Sequence, residues 1–305
     1  MRKVKWTGVY PAVTTKFFEN GDLDVANFLS NIKFQIEAGI DGVVIGGSLG
    51  ENSTITKEER LELVTATLAK FGDQIDVILN IAEGSTRAAI ELAKAGEEIG
   101  VHGIMLLPPM MYKPTDQEVA DYFRAVATNT TLPIMLYNNP VDYKIEVTLD
   151  IFEQLKDLPN IQAVKESTRD ISNVSRMRNR FGDRFKILCG VDTLAMEELL
   201  MGADGWVAGL VDAFPAETVA IYRLVKAGRI EEALKIYRWF LPILELDINP
   251  QLVQNIKLAE VMTGIGTEHV RAPRHILVGE ERVRVVKILE DGIKVRPELP
   301  DYLAI

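Results

Sequence analysis

Eight short apolar runs, rich in β-branched residues and separated by segments of helical character, constrain this chain more than any other feature. They are "GVYPAVTT" (8–15), "DGVVIGG" (41–47), "IDVILNIA" (75–82), "VHGIMLLP" (101–108), "LPIMLYNN" (132–139), "IQAVKES" (161–167), "FKILCGV" (185–191) and "DGWVAGL" (204–210). Runs that stay apolar throughout suit strands buried on both faces, as in a parallel sheet wrapped by helices. The segments between them carry helix-start signals. Thr56 with Glu59 and Thr115 with Glu118 have capping-box spacing, and Asp24 and Ser85 are candidate N-caps. Eight such units in about 220 residues predict an α/β fold of the closed (β/α)8 TIM-barrel type. A doubly wound sheet is the alternative, but it would use fewer strands, and no G-x-G-x-x-G follows the first run.

After residue 215 the strand signal fades into helical patterns interrupted by Gly228, Pro242 and Pro250. The expected organisation is a barrel over 1–225 and a C-terminal helical extension packed on it over 226–305, ending in a loosely held tail, "RPELPDYLAI".

Composition narrows the function classes. With 47% hydrophobic and 26% charged residues in 305, this is the profile of a globular protein. No apolar run reaches the roughly 20 residues that span a bilayer, and "MRKVKWTGVYPAV" lacks the apolar core of a signal peptide, so a cytoplasmic protein without a membrane partner is expected. A formal charge of −10 without a basic block disfavours nucleic acid, leaving a small molecule as the expected partner. Cys189 is the only cysteine and sits inside an apolar run, which suits a buried small residue rather than a reactive thiol. His102, His269 and His275 have no ligand-spaced neighbours, so no metal site or cofactor is expected.

One residue fits its run badly. Lys165 lies at the end of the sixth run, on the same strand face as Ile161 and Ala163, with Gln162, Val164 and Glu166 on the other. Lys165 and Glu166 therefore cannot simply pair. If the first face points into the barrel, the amine stands at the C-terminal mouth, where barrel enzymes carry their chemistry. Burial lowers an amine's pKa and frees its lone pair to form a Schiff base with a carbonyl. A lysine that packs its stem and sends its head to solvent fits the motif equally well. Lys186 opens its run and so belongs at the opposite, stabilising end of the barrel. "GGSLGEN" (46–52) could turn successive amide N–H groups and the Ser48 hydroxyl towards a carboxylate, although alone it also reads as a plain glycine turn. Tyr137, ending the fifth run in "MLYNNP", could relay protons or simply pack.

Together, "GGSLGE", "LYNNP" and "VKES" resemble the dihydrodipicolinate synthase and N-acetylneuraminate lyase superfamily, as do "LPPMMYKPT" (107–115), "CGVD" (189–192) and "GADGWVAG" (202–209). The resemblance implies that Lys165 is the Schiff-base lysine and Tyr137 the proton-shuttling tyrosine. Gly47 and Ser48 would cradle a 2-oxo acid carboxylate, with the backbone of Val207 and Gly209 lining the pocket. It also implies a homodimer or homotetramer.

Three departures from dihydrodipicolinate synthase stand out. The paired threonines of the second loop are Ser48 and Leu49, the relay tyrosine from a neighbouring subunit is Met111 with Tyr112 one place on, and an anion-holding arginine is Asp142. A carboxylate in place of a guanidinium reverses the local field. On that ground lysine biosynthesis is disfavoured. "GGSLGEN", "LPPM" and "YNNPVDY" instead resemble the branch that deaminates 1-pyrroline-4-hydroxy-2-carboxylate in hydroxyproline breakdown, giving 2,5-dioxopentanoate and ammonia. A 2-keto-3-deoxy sugar acid aldolase or dehydratase is a second expectation, with Asn80, Asn139, Asp142, Ser167 and Asp192 as polar groups at the mouth. A third is a 2-oxo acid binding protein without turnover, to which Leu49 and Met111 lend support.

Overall fold

The computed structural model describes residues 3–109 and 111–305; Met1, Arg2 and Met110, which fall within the N-terminal stretch and the 107–115 segment read above, lie outside the described residues. Each apolar run contains one strand: β1 (Gly8–Pro11), β2 (Gly42–Ile45), β3 (Asp76–Ile81), β4 (Gly103–Leu106), β5 (Ile134–Asn138), β6 (Ile161–Glu166), β7 (Lys186–Cys189) and β8 (Gly205–Ala208). Neighbours pair in parallel in the order β1-β8-β7-β6-β5-β4-β3-β2. The seam closes where Asp41 N–H donates to the Val9 carbonyl (3.0 Å) and Val13 N–H to the Val44 carbonyl (3.1 Å). The fold is a (β/α)8 TIM barrel with C-terminal helices, as the spacing of the runs predicts.

Helices α1 (Val25–Glu37), α2 (Lys57–Phe71), α3 (Thr86–Ile99), α4 (Asp116–Ala127), α5 (Pro140–Tyr143), α6 (Leu149–Leu155), α7 (Ser172–Phe181), α8 (Ala195–Leu200) and α9 (Pro215–Lys226) lie between or after the strands. Both capping boxes form, at the starts of α2 and α4. Asp24 accepts from Asn27 N–H (2.9 Å) at the start of α1, and Ser85 accepts from Ala88 N–H (3.3 Å) at the start of α3. Each such cap satisfies an N–H group the helix cannot bond internally, a gain of about 1 kcal/mol. Almost every strand residue is buried, because the barrel interior takes one face and the helices the other. At the N-terminal end, Tyr10 stacks on Trp6 with ring centroids 6.2 Å apart and donates its hydroxyl to Asp76 (2.8 Å). That end is packed shut, which leaves the opposite mouth for a site.

The chain continues through α10 (Ile230–Leu244), α11 (Leu252–Thr263) and α12 (Gly279–Lys294). α10 packs on α9 and α12, and the segment leading into α11 returns across the barrel mouth. Gly228 and Pro250 separate helices as expected, but Pro242 lies inside α10. A proline there forfeits the bond to the Arg238 carbonyl. The loss is offset by packing: Phe240 and the neighbouring Ile243 and Leu244 are buried, with Phe240 against Phe214 at 5.3 Å. The C-terminal tail also differs from expectation, since it is pinned. Arg296 forms a two-pronged pair with Glu217, and Arg223 donates to the carbonyls of Tyr302 (3.3 Å) and Leu303 (3.2 Å). Among the described residues, no helix is long and apolar enough to cross a membrane.

Candidate active site

The β5–β6 register sets Tyr137 directly beside Lys165 and Asn138 beside Glu166. Cross-strand neighbours project to the same face, so Tyr137 and Lys165 both enter the barrel mouth while Asn138 and Glu166 turn outwards. Glu166 is satisfied there by Asn173 (2.8 Å), the Thr168 N–H (2.8 Å) and Asn138 (3.4 Å). As the alternation predicts, it does not pair with Lys165. The Lys165 ammonium nitrogen lies 4.4 Å from the centre of the Tyr137 ring, and among the described residues nothing engages it in a hydrogen bond or salt bridge.

Burial lowers the Lys165 pKa, and the acidic groups of Asp247, Tyr143 and Asp192 nearby oppose that fall only in part. Desolvation favours the neutral, nucleophilic amine. Burial likewise pushes the Tyr137 phenol up to about 12, with the hydrogen bond from Asn139 pulling the other way. A phenol with so high a pKa holds its proton at neutral pH and can lend it.

Gly47, Ser48, Tyr137, Asn139, Asp142, Lys165, Val207 and Gly209 all line one cavity of about 80 Å³. At roughly 10–15 Å³ for each water-sized group, it has room for a small acid rather than a long chain. The loop after β2 owes its shape to ties on three sides. Asn80 donates to the Gly46 carbonyl (2.8 Å), Thr15 to the Gly50 carbonyl (2.6 Å), and Lys257 of α11 to the buried Glu51 (2.5 Å). The N–H groups of Gly47 and Ser48 donate to no protein acceptor among the described residues. They are free to meet a carboxylate.

Two of the polar groups expected at the mouth serve elsewhere. Asn80 braces the β2 loop from below. Asp192 accepts from Trp206 (2.9 Å), Leu210 N–H (2.7 Å) and Gly209 N–H (3.1 Å), which fixes the backbone after β8 and consumes the Gly209 donor. Met111 and Tyr112 are 81% and 55% exposed and do not line the cavity, so neither stands at the relay position within this chain.

Several lining residues escaped the sequence reading. Tyr143, closing α5, hydrogen-bonds Ser48 through its hydroxyl and meets the Tyr137 ring edge-on at 5.6 Å. Arg169, at φ +62° in the loop after β6, has its guanidinium 3.8 Å from Asp142. Asp247, from the segment before α11, lines the same cavity; burial and the nearby Asp192 push its carboxyl up to about 8, against the pull of Lys165. Gly190 makes space: a Cβ there would lie 2.7 Å from Cγ of Lys165 and 2.1 Å from the Ser167 hydroxyl. Tyr143, Arg169 and Asp247 lie outside the strands, so the period-two alternation that marks Lys165 and Tyr137 does not reach them. Among the described residues, no cluster of three or more His, Cys, Asp or Glu side chains is arranged to hold a metal ion.

The dihydrodipicolinate synthetase family model matches residues 5–291. A 4-hydroxy-tetrahydrodipicolinate synthase from Leptospira biflexa is 32% identical over 269 residues, covering 87% of this chain and 90% of its own. Among solved structures, the 4-hydroxy-tetrahydrodipicolinate synthase of Methylacidiphilum fumariolicum superposes with a TM-score of 0.90 at 30% identity, over 94% of this chain and 96% of that one. A prophage protein of the dihydrodipicolinic acid synthase family from E. coli, solved in complex with pyruvate, gives a TM-score of 0.89 at 26% identity, over 95% and 99%.

These matches overturn the expectation of a hydroxyproline-breakdown deaminase with dihydrodipicolinate synthase activity disfavoured, because relatives along most of the chain carry the synthase name. Asp142 does not by itself reverse the field at the mouth, because the Arg169 guanidinium stands 3.8 Å from it on the same wall. With the barrel and the matched sequence in agreement, this chain belongs to the dihydrodipicolinate synthetase family.

Proposed function

We propose that this chain is a lysine Schiff-base enzyme of the 4-hydroxy-tetrahydrodipicolinate synthase type, joining pyruvate to an amino-acid aldehyde. The observation that carries the reading is Lys165, a buried amine with no salt-bridge partner among the described residues, placed beside the Tyr137 phenol at the barrel mouth. The names of the relatives and the pyruvate complex of the E. coli neighbour support it. The named product is a six-membered nitrogen ring with two carboxylates. Removing the three carbons of pyruvate leaves a four-carbon amino-acid aldehyde as acceptor.

The neutral Lys165 amine adds to C2 of pyruvate, and the resulting carbinolamine loses water, for which Tyr137 supplies the proton. The N–H groups of Gly47 and Ser48 hold the carboxylate, and Val207 and Gly209 wall the opposite side. The protonated imine makes a C3 proton acidic, and its loss gives an enamine. C3 then bonds to the aldehyde carbon, whose oxygen takes up a proton. The acceptor's own amine displaces Lys165, closes the ring and frees the enzyme, so that one water leaves overall. Asn139 orients Tyr137, while Asp142 and Arg169 offer a carboxylate and a guanidinium to the acceptor's amine and carboxylate. Self-association into a dimer or tetramer is part of the same proposal.

Pyruvate consumption that depends on the amino-acid aldehyde, and disappears in Lys165→Ala, is the expected result. A protein that consumes no pyruvate with this aldehyde, while the Lys165 adduct still forms, would refute the acceptor and leave the Schiff base.

A further inference from the structure

A proton relay needs hydroxyls in contact, and the sequence lacks two that the family pattern supplies, at Leu49 and Met111. The geometry points to Tyr143 as the relay residue that fills this gap from within the same chain. The inference rests on the Schiff-base reading above and adds a residue to it.

Three contacts carry it. The Tyr143 hydroxyl hydrogen-bonds Ser48, at the edge of the carboxylate cradle. Its ring stands edge-on to Tyr137, with centroids 5.6 Å apart at 84°, and both tyrosines line the cavity that holds Lys165. Asn139 then locks the pair together. Its Nδ2 lies 3.0 Å from the Tyr137 hydroxyl and its Oδ1 accepts the Asp142 N–H (3.1 Å), capping the short helix that ends in Tyr143.

The arrangement suits proton transfer. Burial pushes the Tyr143 phenol well above its ordinary pKa, so it holds its proton at neutral pH. Tyr143 lines the cavity and is half-buried as a residue. Within this chain, Tyr112, the neighbour of the missing position, does not line the cavity. In a cycle that removes and returns protons at C3 and at the departing oxygen, Tyr143 acts through Ser48 and Tyr137 and is a positioning and relay residue.

The exchange of pyruvate methyl protons for deuterium in D₂O, followed by NMR, tests this without any second substrate. In Tyr143→Phe the exchange rate at saturating pyruvate falls by about 10²-fold, at the lower end of what a positioned acid–base group contributes. The pyruvate concentration at half-maximal rate moves by less than about 3-fold, and borohydride still traps pyruvate on Lys165. Tyr112→Phe exchanges at the wild-type rate. The phenylalanine keeps the edge-on ring contact, so the retained adduct reports an intact site. Wild-type exchange in Tyr143→Phe, or an equal loss in Tyr112→Phe, overturns the relay. A wild-type protein that gives neither exchange nor adduct overturns the Schiff-base reading and the relay with it.

Discussion

Lys16, Lys165 and Lys257 are all buried in this barrel, but in different company. Lys16 lies 2.8 Å from Glu260, and Lys257 lies 2.5 Å from Glu51, with a further bond of 2.6 Å to the His269 carbonyl. These pairs tie the segment after β1 and the loop after β2 to α11. Lys165 has a ring face beside it and, among the described residues, no anion in contact. Buried charges that are fully paired hold structure in place, whereas a buried amine left unpaired settles by giving up its proton. Glu198 shows the same rule in mirror image. Its carboxyl oxygens have no hydrogen-bond partner among the described residues, and burial holds its pKa up to about 8, so it keeps a proton instead.

The sharpest way to break this contrast is to delete the lysines one at a time. Lys165→Ala should lower turnover by about 10⁴-fold or more while the melting temperature holds or rises, since a costly unpaired group is removed. Glu51→Ala should do the reverse, stranding Lys257 and costing about 3–5 kcal/mol in urea unfolding. Adding Lys257→Met to Glu51→Ala should recover part of that loss. Equal destabilisation by Lys165→Ala and Glu51→Ala would erase the distinction.

Gly190→Ala probes the space that the unpaired amine needs. Its Cβ would press on the Lys165 stem and Ser167. Pyruvate adduct formation should slow by about 10-fold, with a stability loss of about 1–3 kcal/mol from overpacking. Adduct formation at the wild-type rate would mean that the lysine does not depend on its present position.

The smallest expected effect is on pH dependence. The Glu198 carboxyl has its folded pKa raised, so the folded state binds a proton that the unfolded chain has lost between about pH 4 and pH 8. The associated stability is complete below that window and declines across it, by at most about 1.4 kcal/mol per pH unit. Urea midpoints of Glu198→Gln between pH 5 and pH 8 should therefore fall less steeply than those of the parent. An identical slope would show that Glu198 is ionised in the fold.

The barrel was legible because its strands are uninterrupted apolar runs and its first helices open with side-chain caps, both of them local signals. Pro242 and the tail were misjudged because distant side chains, Phe214 for one and Arg223 with Glu217 for the other, decide their fate. At the site, period-two alternation alone put Lys165 and Tyr137 at the mouth. Arg169, Tyr143 and Asp247 depend on how loops and the C-terminal segment return over that mouth, which no local pattern records. The charge at the mouth has the same non-local character, since the fold brings the Arg169 guanidinium beside Asp142.

The most direct test of the account is borohydride trapping with pyruvate, read by intact and peptide mass spectrometry. A single reduced pyruvate adduct on the peptide carrying Lys165, absent in Lys165→Ala and absent from the peptides carrying Lys16 and Lys257, is the expected result. No adduct at Lys165, or labelling spread equally over the three buried lysines, would contradict the claim that its unpaired state makes it the working amine.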